Sequence, residues 1–165
     1  LTIEEAKDNI TVEKNKVYLI PSKNVMTIKD GKLLLTDKLK GVNLTIDTFF
    51  KSLAEERGDK AIGIILSGTG SDGTEGMKAI KNAGGLLIAS DPESAEFNQM
   101  PQSAISTGLV DFVVPPSDPL PLFWCAMRPW RPFLPPHLVP FVCLYNQQQP
   151  PMVVPTLSGC YKTGL

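Results

Sequence analysis

The sequence predicts an α/β protein with a doubly wound, mostly parallel sheet and a small β-hairpin, truncated at its N-terminus. Three observations predict it. From Thr45 onward, segments with a helical apolar face alternate with apolar runs over short connections, in the order α-β-α-β-α-β. Connections this short favour parallel strands and right-handed crossovers. The runs Ala61–Leu66 and Leu86–Ala89 are almost wholly apolar, as strands covered on both faces are. Finally, Asp30-Gly31 separates two apolar runs, and both turn positions of a tight hairpin favour positive φ.

Each element follows from its own residues. Lys16–Ile20 is short, β-branched and aromatic, and Pro21 ends it, which predicts a strand. Val25–Ile28 and Leu33–Thr36 are the arms of the hairpin. Over Thr45–Arg57, Ile46, Phe49, Phe50 and Leu53 share one helical face. Thr45 is a candidate cap and Gly58 a candidate terminator. Ala61–Leu66 is a buried strand that leads into the glycine-rich loop Ser67–Gly73. Thr74–Ala83 is a helix with Met77, Ile80 and Ala83 on one side, stopped by Gly84-Gly85. Leu86–Ala89 is a second buried strand, ending at Asp91-Pro92. Pro101 suits the first position of a short helix to Thr107, with Gly108 as its end. Val110–Val114 is a last strand.

Composition divides the chain. All 15 prolines except Pro21, Pro92 and Pro101 fall in residues 115–165. That stretch holds only Asp118, Arg128, Arg131 and Lys162 as charged residues, and all 3 cysteines, Cys125, Cys143 and Cys160. The expected organisation is a domain over 1–116 and a proline-rich tail over 117–165, disordered or non-native. Dense prolines prevent helices and interior strands. The cysteine spacings of 18 and 17 match no zinc pattern. The 16 Lys+Arg against 17 Asp+Glu give no basic excess that would mark a nucleic-acid or membrane-surface binder. No apolar run is long enough for a membrane-spanning helix. The start, LTIEEAKD, lacks a signal-peptide core and an initiator Met, and implies a piece of a longer chain.

The glycine loop admits three readings. Gly68-x-Gly70-x-x-Gly73, between a strand and a helix, with Asp91 18 residues further on, satisfies a dinucleotide fingerprint by spacing. Asp72 opposes it, because a carboxylate at a helix mouth uses the donors a pyrophosphate needs and repels the phosphate. Asp91 sits in Asp-Pro-Glu-Ser, a turn context. The second reading makes Asp72 a cap in a tight βα turn. The third makes it a catalytic carboxylate at the carboxyl end of a parallel strand. There it would hold a histidine Nδ1–H in a Ser-His-Asp triad.

The segments AIGIILSGTGSDGTEGMKAI and LLIASDPESAEFNQMPQSAISTGLVDFVVPP resemble the C-terminal part of the CheB-type chemotaxis domain of the protein-glutamate methylesterases. VYLIPSKNVMTIKDGKLLL and LTIDTFFKSLAEERG resemble that family's hairpin and following helix. The resemblance covers about residues 1–116, and its style is that of esterase domains fused to a methyltransferase. It implies a cytoplasmic hydrolase, without metal or cofactor, that demethylates glutamate side chains on chemoreceptor helices. Asp72 matches the triad aspartate. Thr69 matches a loop position whose backbone would stabilise an oxyanion, and Met100 and Pro101 match a segment near the cleft. The family's nucleophilic serine and its histidine have no match here. The only histidine is His137, in the tail. Ser67 and Ser71 flank the loop without occupying the nucleophile position. The chain alone is therefore expected to be inactive. The alternatives are an inactive binding or regulatory module and a dinucleotide-binding domain.

Overall fold

The computed structural model describes residues 2–14, 16–39 and 44–115. The tail expected over 117–165 lies outside the described residues, as do its cysteines and His137.

Two strands of six residues and a two-residue turn build the hairpin as the Asp-Gly signal requires. Strand β4 (Asn24–Lys29) pairs antiparallel with β5 (Lys32–Asp37), from Asn24 opposite Asp37 to Lys29 opposite Lys32. Asp30 and Gly31 both take positive φ, 51° and 71°, the geometry that matches strand twist in a two-residue turn. A short β2 (Ile10–Thr11) flanks the other edge of β5. The sequence carries no strand signal for β1 (Thr2–Glu5), which nevertheless pairs parallel with β3 (Lys16–Leu19). Half of TIEE is charged, so this strand depends on its partner rather than on its own pattern.

Helix α1 (Thr45–Arg57) ends as predicted. Gly58 has φ 56° and donates its N–H to the Ala54 carbonyl. Its start differs from expectation. Leu44 occupies the cap position and no local side chain caps the helix, Thr45 included. The buried face, Ile46, Phe49, Phe50 and Ala54, lies against α2 and the hairpin.

A single turn of 3-10 helix (Gly58–Lys60) leads into the second half. Strands β6 (Ile62–Ile65), β7 (Leu86–Ser90) and β8 (Phe112–Val114) form a parallel sheet in that order. Helix α2 (Thr74–Asn82) joins β6 to β7. It closes with Gly85 N–H on the Ile80 carbonyl and Gly84 N–H on the Lys81 carbonyl, the paired bonds of a glycine-terminated helix. Helix α3 (Gln99–Ser106) joins β7 to β8, with Pro101 third rather than first. That still falls in the first turn, where a missing N–H costs nothing.

The alternation along β6 and β7 divides the apolar residues. Ile65, Leu87 and Ala89 join the core beneath the helices, whereas Ile62, Ile64, Leu86, Ile88 and Phe112 cluster on the other face. Met77, Ile80 and Leu87 are completely buried. Burial of such side chains contributes about 1.5–3 kcal/mol each. A helix of 9 residues is marginal alone, so packing, not propensity, holds α2. The result sets the loop between β6 and α2 at the carboxyl end of a parallel strand, where open α/β sheets place their sites.

Candidate functional site

The loop from Leu66 to Gly73 is anchored along one side by the segment that enters α3. Gly68 N–H donates to the Phe97 carbonyl at 3.0 Å, and Met100 N–H donates to the Gly68 carbonyl at 3.1 Å. The Ser67 hydroxyl accepts from Phe97 N–H at 3.1 Å and lies 3.4 Å from its carbonyl. Ser67 thus ties two loops together. Gln99 Oε1 accepts from Gly70 N–H at 3.2 Å, and the Ser103 hydroxyl donates to the Gly70 carbonyl at 3.3 Å. Met100 is buried, with its thioether packed so closely under Gly68 that a Cβ there would lie 2.5 Å from its terminal methyl. It supports the loop from beneath.

The far end of the loop is held differently. Asp72 is half-buried, and both of its carboxylate oxygens are engaged. Oδ2 accepts from Ile46 N–H at 3.1 Å and Oδ1 from Asp47 N–H at 3.0 Å. These are the second and third residues of α1. Asp72 therefore caps a helix, but not the one it precedes. It supplies the cap that α1 lacks locally, where the helix macrodipole favours a negative charge. Asp47, only 3% exposed, returns the interaction: its Oδ1 accepts from Gly76 N–H at 2.7 Å. Gly76 is the third residue of α2, whose own cap position, Gly73, offers no side chain. The two helix starts cap one another. Their close approach requires glycine at 76, since a Cβ there would sit 2.5 Å from Phe50 Cβ and 3.0 Å from Asp47 Cα.

Thr69 is exposed between the two anchored ends, and among the described residues its N–H has no acceptor. Ser71 is exposed; its carbonyl accepts from Thr74 N–H and from the Thr74 hydroxyl. An open groove of about 500 Å³ runs beside the loop, lined by Gly70, Ser71, Gln99, Gln102, Ser103 and Ser106. Asp72 is adjacent in sequence but does not line it. The loop and α3 thus gather Thr69, Met100 and Asp72 around one short loop, with Thr69 exposed, Met100 packed against Gly68 and Asp72 at the junction with α1.

The geometry disfavours a pyrophosphate. Gly76 N–H and Gly70 N–H already have acceptors, and a carboxylate stands at the mouth of α2. Asp91, the candidate ribose ligand of that reading, closes its own turn: its Oδ1 accepts from Glu93 N–H at 3.1 Å. Sequence reasoning missed Asp47. An aspartate at the third position of a helix start is an acceptor-rich signal, but nothing local names α2 as its partner.

Comparison with known proteins places these features in context. The family model described as CheB methylesterase matches residues 1–120. An uncharacterised 104.1 kDa protein of Rhodobacter capsulatus is 43% identical over 112 residues, 67% of this chain and 12% of that protein. A Pyrococcus abyssi protein-glutamate methylesterase/protein-glutamine glutaminase is 35% identical over 121 residues, 70% of this chain and 33% of that protein. The chain thus spans a third or less of the length of these two relatives. The crystal structure of the Thermotoga maritima CheB methylesterase catalytic domain superposes with a TM-score of 0.64 at 32% identity. That match covers 75% of this chain and 68% of the catalytic domain.

Proposed function

The chain belongs to the CheB methylesterase family, and from that membership we propose that it supplies the aspartate-bearing part of an esterase acting on glutamate methyl esters of chemoreceptor helices. The observation that carries this reading is Asp72, held by both oxygens at the carboxyl end of β6. Each carboxylate oxygen that accepts one backbone N–H retains a further acceptor site. Asp72 can therefore accept a histidine Nδ1–H while its own position stays fixed by α1.

In this chemistry a serine Oγ attacks the ester carbonyl while the histidine takes its proton. The tetrahedral oxyanion collapses, and methanol departs with that proton. Water then hydrolyses the acyl-enzyme by the same route. Asp72 keeps the imidazole in the attacking tautomer and stabilises the imidazolium. The Thr69 N–H, on an exposed residue and without an acceptor among the described residues, suits the developing oxyanion. Met100, the other candidate substrate contact, packs beneath Gly68 and supports the loop from below. The serine and histidine come from outside the matched stretch, and residues 1–165 alone do not turn over. Ser67, committed to Phe97, is not the nucleophile. The family reading sets this chemistry in the cytoplasm.

The experiment is methanol release from methylated receptor. The chain alone should release none. A chimera that adds the unmatched part of the Thermotoga maritima catalytic domain should release it. In that chimera Asp72→Asn should keep the fold and lower turnover by about ten-thousandfold, the loss known for the same change in a serine-protease triad. Near-normal turnover of a folded Asp72→Asn chimera would remove Asp72 from the mechanism. A chimera that binds methylated receptor but releases no methanol points instead to a binding module.

A further inference from the structure

Resting on the reading of Asp72 as the triad aspartate, we infer that Asp47 is a positioning residue for it. Three bonds form one connected path. Gly76 N–H donates to Asp47 Oδ1 at 2.7 Å, the Asp47 N–H donates to Asp72 Oδ1 at 3.0 Å, and Ile46 N–H donates to Asp72 Oδ2 at 3.1 Å. The path begins and ends on the segment 72–76 and passes through the first turn of α1. The Asp47 carboxylate fixes α1 in register against α2. That register places the Ile46 and Asp47 N–H groups under both oxygens of Asp72.

Without the Asp47 carboxylate, α1 still has its apolar face of Ile46, Phe49, Phe50 and Ala54 against the core. The helix remains, but its start is free to slide along α2, and Asp72 loses its two-point hold. Misplacement of a catalytic group by a fraction of an ångström is enough to lower turnover without unfolding the protein. Burial supports a dedicated role. Asp47 and Ser90 are the two buried polar or charged side chains among the described residues, and a carboxylate is rarely this buried without an assigned set of donors.

The test uses the 165-residue chain and couplings transmitted through hydrogen bonds in nuclear magnetic resonance spectra. Wild type should show coupling from the Ile46 and Asp47 amide nitrogens to Asp72 Cγ, and from the Gly76 nitrogen to Asp47 Cγ. Asp47→Ala should abolish the couplings to Asp72 Cγ and speed exchange of the Ile46 amide by about tenfold or more. Exchange at Phe50 and Ala54 should stay within about threefold of wild type, the scale of a local loss. Asp47→Asn, whose amide oxygen can still accept from Gly76 N–H, should restore the couplings. Couplings that survive in Asp47→Ala overturn the inference. So does their loss in Asp47→Asn, or an Asp47→Ala chain that does not fold, because Asp47 would then serve the fold and not the site. None of these readouts depends on turnover. If they behave as expected while Asp72→Asn keeps its rate in the chimera, the catalytic reading fails and the positioning stands.

Discussion

Helix α1 is held at each end by a carboxylate that grips two backbone N–H groups, and the two grips differ in what they can do. At its last turn Glu56 reaches the hairpin. Its Oε2 accepts from Asp30 N–H at 3.0 Å and its Oε1 from Gly31 N–H at 2.8 Å. At its first turn the roles reverse, and Asp72 of the glycine loop grips the helix. Glu56 stands near the helix end where the macrodipole opposes a negative charge, and Asp72 stands where it favours one. Glu56 holds a surface turn in place. Asp72 stands in the loop after a parallel strand, close to the exposed Thr69. The same two-point chemistry is scaffolding at one end and, in the function we propose, a poised catalytic group at the other.

Four changes would break or sharpen that contrast. The largest effect is expected away from both carboxylates, at Gly76→Ala. The added Cβ would meet Phe50 Cβ at 2.5 Å, and the two helices would have to separate. Overpacking of this kind costs about 3 kcal/mol, which urea unfolding would register. It would also cut the bond to Asp47, so the Asp72 end should loosen while the Glu56 end stays intact.

Next comes Asp72→Ala. Loss of a cap that serves two N–H groups should destabilise the chain by about 1–2 kcal/mol. Asp72→Asn should cost less than Ala but not nothing, because its single amide oxygen can still accept from one of the two N–H groups while its NH2 faces the other. A stability loss as large for Asn as for Ala would mean that α1 needs both acceptor oxygens of the carboxylate.

Glu56→Ala should cost less, about 0.5–1 kcal/mol, since its bonds are more open to water. Equal effects at the two ends would erase the distinction drawn from the macrodipole.

The smallest effect belongs to an exposed pair on α2. Lys78 donates to Glu75 at 2.6 Å, and that hydrogen bond, with the ammonium's charge, holds the Glu75 carboxyl below its usual value. A lowered folded value stabilises the fold above the ordinary carboxylate range and is lost as pH falls through the lowered one. Because the pair is fully solvated, Lys78→Ala should leave the melting temperature at neutral pH unchanged within error. A clear drop would show that exposed pairs rival the helix caps.

Much of this arrangement is legible in the sequence because it is local. The apolar spacing of Ile46, Phe49 and Phe50, the runs IGII and LLIAS, Asp30-Gly31 and Gly84-Gly85 each carry their own geometry. The resemblance carried by SGTGSDG named Asp72 without saying what holds it. Strand β1 was hidden, since TIEE acquires its conformation only from β3. The start of α3 shifted by two residues, because a proline is tolerated anywhere in a first turn.

By itself, then, the sequence determined the elements from Lys16 onward, their order and the glycine-rich loop, but not β1 or β2, since periodicity, turn chemistry and helix ends are settled within a few residues. Only the tertiary structure decided which donors each aspartate serves. Asp72 caps a helix 26 residues upstream, and Asp47 caps one 29 residues downstream. Both bonds exist because Gly76 lets α1 and α2 approach closely, and no local pattern encodes the distance between two helix starts.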